Sequence, residues 1–212
     1  MGDLQKLFNP ATIAVIGATE KEGSFGRALL ENALNSGGRT VYPVNPNRDT
    51  VLGHPCWSDI TTVPGPIDLA IIATPAATVP AIVDACGRAG VEGLIIISAG
   101  FRETGQEGKL LEEEITRINK AYGMRIVGPN CLGIMRPSVG LNATFLKDNP
   151  EGGNIAFVSD MGNFGRTLLD WGFTAHIGFS TVVSLGSAID VDFGDVIDFL
   201  AEDPHTKSII LY

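Results

Sequence analysis

Five short apolar runs set the terms on which this chain can fold: Ile13-Ala14-Val15-Ile16, Val41-Tyr42-Pro43-Val44, Leu69-Ala70-Ile71-Ile72-Ala73, Leu94-Ile95-Ile96-Ile97 and Arg125-Ile126-Val127. They are apolar at successive positions, where a strand with one wet face would alternate. Such runs suit strands covered on both sides, as in a parallel sheet flanked by helices. Helical periodicity falls between them, near Phe25–Ser36, Val79–Ala89 and Gln106–Tyr122, the last followed by Gly123 where a left-handed cap is expected. Trp57–Val63 is too short to assign. The alternation predicts an α/β fold with a doubly wound parallel sheet.

After Gly128 the alternation stops. Gly133–Gly152 carries Pro137, Gly140, Asn142, Asn149 and Pro150 and reads as a connection. A second α/β unit is then expected, with strands at Asn154–Val158, Thr181–Ser184 and Ser208–Leu211 and helices at Asn163–Trp171 and Val196–Ala201. The predicted division is residues 1–132, a connection over 133–153 and a partial unit over 154–212. Two or three strands make a poor sheet alone, so further chain or another subunit is expected to complete it.

Composition narrows the function. A formal charge of −9 argues against a wide basic surface for nucleic acid or anionic lipid, although backbone N–H groups can still hold a phosphate locally. Cys56, Cys86 and Cys131 are too scattered for a disulfide framework or a CxxC metal site, so a reducing cytoplasm is expected. No basic leader precedes an apolar run, and no stretch approaches the ~20 apolar residues a membrane span needs. His54, His176 and His205 fall into no metal or nucleophile motif. No catalytic residue and no metal site are assigned.

The candidate ligand residues lie where strands end. The first strand runs into Gly17-Ala18-Thr19-Glu20-Lys21-Glu22-Gly23-Ser24-Phe25-Gly26, a glycine-punctuated loop opening a helix. Glycines let backbone approach a ligand, and a helix N-terminus offers unpaired N–H groups to an anion; the same glycines also suit plain tight packing. The spacing is not GxGxxG. The second strand ends in Val44-Asn45-Pro46-Asn47-Arg48, without the carboxylate that binds a ribose 2′-hydroxyl in NAD sites. Polar groups with a nearby Arg suit a ribose phosphate, or simply an Asn-Pro turn. The remaining strand ends are Ala73-Thr74-Pro75-Ala76, Ser98-Ala99-Gly100-Phe101 and Gly128-Pro129-Asn130-Cys131-Leu132-Gly133. In an open α/β sheet such ends line the ligand crevice. Cys131 is expected to be a buried, inert thiol. In the second unit Ser159-Asp160-Met161-Gly162-Asn163-Phe164-Gly165 offers either a phosphoryl site or an Asp160 N-cap. Asp190, Asp192, Asp195 and Asp198 match no calcium loop and suit the start of a helix.

As a set, Ile13–Gly26, Tyr42–Asn47, Ala73–Ala76, Ile97–Phe101 and Gly128–Gly133 resemble the coenzyme A-binding domain of the succinyl-CoA synthetase α-subunit. They resemble still more closely that of NDP-forming acyl-CoA (acetyl-CoA) synthetases. Ser159–Gly165 and Ser184–Asp192 resemble the start of that family's second, flavodoxin-like domain, so the resemblance covers nearly the whole chain. It implies a Rossmann-like sheet followed by a partial flavodoxin-like unit. Gly17, Thr19, Ser24 and Gly26 would hold CoA phosphates, and Asn45 and Asn47 would meet the ribose 3′-phosphate region. Thr74, Pro75, Ala99 and Phe101 would line the pantetheine path, Asn130 would stand near the thiol, and Ser159 and Gly162 would cradle phosphate. The implied enzyme interconverts acid, CoA and NTP with acyl-CoA, NDP and phosphate through an acyl phosphate and a phosphohistidine. That histidine is expected beyond Tyr212, and ATP or ADP with Mg would bind an ATP-grasp domain or β-subunit, in a homo- or hetero-oligomer. This chain departs from the family pattern at Asn47, commonly Lys, and at Ser159-Asp160-Met161-Gly162, commonly Ser-Gln-Ser-Gly. A non-catalytic CoA-binding module and the CoA-binding part of a protein lysine acetyltransferase are the alternatives. An NAD(P)-dependent oxidoreductase is disfavoured by the loop spacing and the missing acid.

Overall fold

The structure, a computed structural model, describes residues 4–161, 167, 172 and 174–212. The expected strands form as β1 (Thr12–Ile16), β2 (Thr40–Val44), β5 (Leu69–Ile72), β6 (Gly93–Ile96) and β7 (Arg125–Val127), in one five-stranded sheet ordered β2-β1-β5-β6-β7. Every pairing in it is parallel. A small antiparallel ribbon, β3 (Thr50–Val51) with β4 (His54–Pro55), fills the link between β2 and β5. Strand order reverses beside β1, so the crevice between the C-terminal ends of β1 and β5 is the natural ligand position.

The apolar runs explain the layering, because alternate side chains face opposite ways. Ile13, Val15, Leu69, Ile71, Ile95 and Val127 pack on α2 (Phe25–Asn35) through Leu29, Leu30 and Ala33. Ala14, Ile16, Ala70, Ile72, Leu94 and Ile96 pack on α3 (Val79–Arg88) and α4 (Gln106–Asn119) through Val79, Val83, Cys86 and Ile115. Below the sheet, a single turn, α1 (Gln5–Phe8), is tied in by Asp68. Its carboxylate accepts from Lys6 Nζ (2.7 Å) and the N–H groups of Ala11 (2.6 Å) and Thr12 (3.2 Å).

The stretch 133–153 is not the plain connection its Pro, Gly and Asn content suggests. It contains β8 (Gly133–Arg136) and β9 (Leu141–Thr144), an antiparallel hairpin whose turn is Pro137–Gly140, with Gly140 left-handed (φ 66°). The hairpin joins β10 (Gly152–Ser159), β11 (Phe179–Ser184) and β12 (Ser208–Leu211) in a mixed sheet ordered β12-β10-β11-β8-β9, in which β10, β11 and β12 run parallel. The cause is burial: Ile134, Leu141 and Ala143 enter the same core as β1 and α2, together with Ala156, Val158 and Val183. One apolar core thus spans both sheets.

Two charged clamps reinforce that seam. Arg136 is almost fully buried and donates to Asp203 (2.9 Å), Thr181 (3.3 Å) and the Phe8 carbonyl (3.2 Å). Arg125 in β7 pairs with Asp190 (3.0 Å) and with Asp195 (2.8 Å), on the helix α5 (Phe193–Glu202). Asp192 caps α5 and Asp195 bonds back to the Asp192 N–H, a reciprocal capping box. The acidic cluster therefore serves a helix start and an ion pair.

Candidate coenzyme crevice

The site begins with a close backbone approach. A Cβ on Gly26 would lie 2.1 Å from the Gly17 carbonyl oxygen, and one on Gly17 would lie 2.6 Å from that of Ala73. Both positions exclude any side chain, so the first turn of α2 is seated directly on the β1 end, over the point where strand order reverses. Ser24 caps this turn, accepting from the Arg27 N–H (3.4 Å) and donating to the Lys21 carbonyl (2.7 Å). Its hydroxyl is therefore engaged. The N–H groups of Phe25 and Gly26 have no bonding partner among the described residues, so these are the groups left for an anion. Thr19 Oγ1 accepts from the Lys21 N–H (3.3 Å), stiffening the loop.

The candidate residues then follow one another along the strand ends. Asn45 is half-buried; its amide donates to the Ala18 carbonyl (2.8 Å) and accepts from the Asn47 N–H (2.9 Å). It shapes the loop, while the exposed Asn47 and Arg48 side chains stand outward. Ala73 and Thr74 abut Gly17, and the Thr74 N–H donates to Ser98 Oγ (3.2 Å). The Ser98 carbonyl in turn accepts from the Asn130 N–H (3.0 Å). Pro75, Ala99 and Asn130 are exposed at this rim. Phe101 is different. Its ring is fully buried in the core with Val79, Val83 and Ile115, so the β6 end offers its backbone and Ala99 to the crevice, with the Phe101 ring turned inward.

The line ends against the second sheet. The Gly128 N–H donates to the Leu185 carbonyl (3.1 Å) and the Ser187 N–H to the Pro129 carbonyl (2.9 Å). A Cβ on Gly186 would fall 2.2 Å from the Pro129 oxygen. The loop after β7 is thus locked to the loop after β11, bringing Asn130 to the strand ends of the second sheet. There Ser159 is buried, its Oγ accepting from the Met161 N–H (2.9 Å), and Asp160 is exposed beside it. Gly162 and, apart from Thr167, the helix expected over Asn163–Trp171 lie outside the described residues. Cys131 lies behind the rim, wholly buried; burial pushes its thiol up to about 12, and it donates to the Ile96 carbonyl (3.3 Å), so it is not a nucleophile.

Sequence reasoning named Ser98 only as part of a strand end and passed over Glu103. Ser98 joins the β5 and β6 ends, its Oγ accepting from the Thr74 N–H and donating to the Ile72 carbonyl. Glu103 accepts from the Gly100 N–H (2.6 Å). Burial alone would raise its pKa, but the backbone N–H groups at the β6 end, Gly100 foremost, and nearby Arg102 hold it below the usual carboxylate range.

Together these features define a class: an open α/β sheet with a glycine-seated helix N-terminus at its switch point, suited to a phosphorylated ligand lying along the strand ends and reaching a second α/β unit. The chain belongs to the CoA binding domain family, whose sequence profile matches residues 11–137, and that of the succinyl-CoA ligase like flavodoxin domain matches residues 152–212. It is 44% identical over 209 residues to an ADP-forming acetate–CoA ligase I of Archaeoglobus fulgidus, covering 99% of this chain and 30% of that protein. It is 42% identical to the α-subunit of ADP-forming acetate–CoA ligase II of Pyrococcus furiosus, covering 99% of this chain and 46% of that subunit. The chain therefore spans less than half the length of these relatives. The dinucleotide forming acetyl-coenzyme A synthetase 1 of Ca. Korarchaeum cryptofilum, solved in complex with phosphate and ADP, superposes with a TM-score of 0.94 at 41% identity, covering all of this chain and 46% of that one.

Proposed function

We propose that this chain is the CoA-binding portion of an ADP-forming acyl-CoA ligase. The observation that carries the proposal is the unbroken line of strand-end groups from the Gly17–Gly26 seat to the Gly128–Leu185 seam. The Gly17 and Gly26 backbone, with Thr19 and Ser24 holding its shape, meets the CoA phosphates. Asn45 sets the turn that presents Asn47 to the ribose 3′-phosphate. Pantetheine crosses Thr74, Pro75 and Ala99, and its thiol reaches Asn130. Ser159, on the far side of the seam, begins a phosphate-handling loop to which Gly162 also contributes, so thiol and phosphate meet where the units join. In the whole enzyme a carboxylic acid and the CoA thiol become a thioester while ATP becomes ADP and phosphate. The phosphohistidine and an ATP-grasp domain or β-subunit, with its Mg²⁺, supply the remaining chemistry, in a cytoplasmic setting.

One observation favours a second reading: exposed Asp160 places a negative charge beside Ser159, where an incoming phosphoryl group would be repelled. A non-catalytic CoA-binding module fits that feature. The products separate the readings. An enzyme carrying this chain should release ADP and phosphate with acyl-CoA; release of AMP and pyrophosphate contradicts the ligase assignment, and CoA binding without turnover favours the module.

A further inference from the structure

We infer that Glu103 is a positioning residue for the pantetheine arm, an inference that rests on the CoA reading above. Its carboxylate accepts from the Gly100 N–H (2.6 Å) just past the C-terminal end of β6. This bond holds the loop in a shape that depends on Gly100, whose φ of 110° disfavours side chains and whose added Cβ would press on Ala76 at 3.1 Å. The same shape buries the Phe101 ring and turns Ala99 outward.

The consequence lies in what is left unbonded. Among the described residues the N–H and carbonyl of Ala99 have no hydrogen-bond partner, although Ser98 on one side and Gly100 on the other are both engaged. An exposed peptide with both groups open is the complement of an amide, and pantetheine carries two amides in its chain. Ala99 stands between Thr74, which is bonded to Ser98, and Asn130, which is bonded to the Ser98 carbonyl, so it lies midway along the proposed path. Glu103 bonds the loop after β6 and makes no hydrogen bond to the Gly17–Gly26 seat. Its task is to keep the Ala99 peptide presented to the ligand's amides, at no contact with the phosphates.

This separates the two ends of CoA experimentally. Calorimetric titrations of the chain with CoA and with adenosine 3′,5′-bisphosphate, which lacks pantetheine, would be compared for wild type, Glu103→Gln and Glu103→Ala. Gln keeps one acceptor oxygen and should weaken CoA binding roughly threefold to tenfold, and Ala should weaken it further. Bisphosphate affinity should stay unchanged in both variants. Equal weakening of both ligands, or no weakening of CoA, overturns the inference while leaving the CoA reading intact. A wild-type chain that takes up no CoA removes the reading itself. Thermal melting of each variant identifies general unfolding, which would lower affinity for both ligands together.

Discussion

Replacing Gly26 by Ala is the sharpest perturbation of the phosphate seat. The new Cβ would stand 2.1 Å from the Gly17 carbonyl, where real Cβ atoms essentially never approach within 3.0 Å, and the obstacle is backbone that cannot rotate away. The first turn of α2 must lift by roughly an ångström, in a site already packed at interior density. Overpacking of this kind costs about 1–3 kcal/mol, or about 2–12 °C in melting temperature for a chain of this size. The lift also withdraws the Phe25 and Gly26 N–H groups from any bound phosphate. Hydrogen bonds to a charged group contribute about 1.5–3 kcal/mol each, so losing both should lower CoA affinity by about a hundredfold or more. Gly23 provides the control. It is left-handed (φ 72°) with nothing within 4 Å of an added Cβ, so Gly23→Ala should cost only about 1–2 kcal/mol of backbone strain and leave CoA binding nearly intact. Calorimetry and thermal melting of both variants decide the matter. Equal CoA affinity in Gly26→Ala and wild type, or equal losses in both variants, would rule out a phosphate seat at the start of α2.

Four further outcomes are expected. Asn47→Lys should tighten CoA about twofold to fivefold at low salt and leave dephospho-CoA unchanged, since an exposed ion pair contributes at most ~1 kcal/mol; a gain for both ligands in titration would place the 3′-phosphate elsewhere. Asp203→Ala should destabilise by about 3–5 kcal/mol in denaturant melts, because it strands the buried Arg136 guanidinium. Burial alone would raise the pKa of both Asp68 and Asp203, but their hydrogen-bond and cationic partners, Lys6, Ala11 and Thr12 for Asp68 and Thr206 and Arg136 for Asp203, hold them below the usual value. Their stabilisation is therefore complete above the unfolded value of ~3.9 and lost as pH falls through the folded values, so Asp68→Asn should flatten the acid limb of a stability–pH curve. With Cys86 and Cys131 both pushed up to about 12 by burial, only Cys56 should label in the native chain near pH 8, and rapid labelling of two or more thiols would contradict the described packing.

The first sheet is legible in the sequence because its strands are apolar on both faces, a pattern that local composition alone reveals. The hairpin β8–β9 is not, because Pro137 and Gly140 look the same in a tight turn as in a linker. Asn142 likewise reads as a loop residue, yet it is buried, its amide donating to the Leu146 carbonyl (3.2 Å) and to Asn149 (2.8 Å). At the site, the glycine spacing shows where an anion is seated. It does not show that the Asn45 amide is spent on Ala18 and Asn47, or that the Phe101 ring turns into the core. Glu103 escapes notice because a carboxylate folding back on a backbone N–H three residues earlier leaves no periodic trace. Side-chain direction and local hydrogen bonding are decided by the tertiary context that the strand pattern only frames.

The claim that this crevice takes CoA is tested most directly by titrating the purified chain calorimetrically with CoA and, separately, with NAD⁺. Heat of binding with CoA and none with NAD⁺ is the predicted result. Binding of NAD⁺ with none of CoA would contradict it, leaving the same glycine seat assigned to a dinucleotide cofactor.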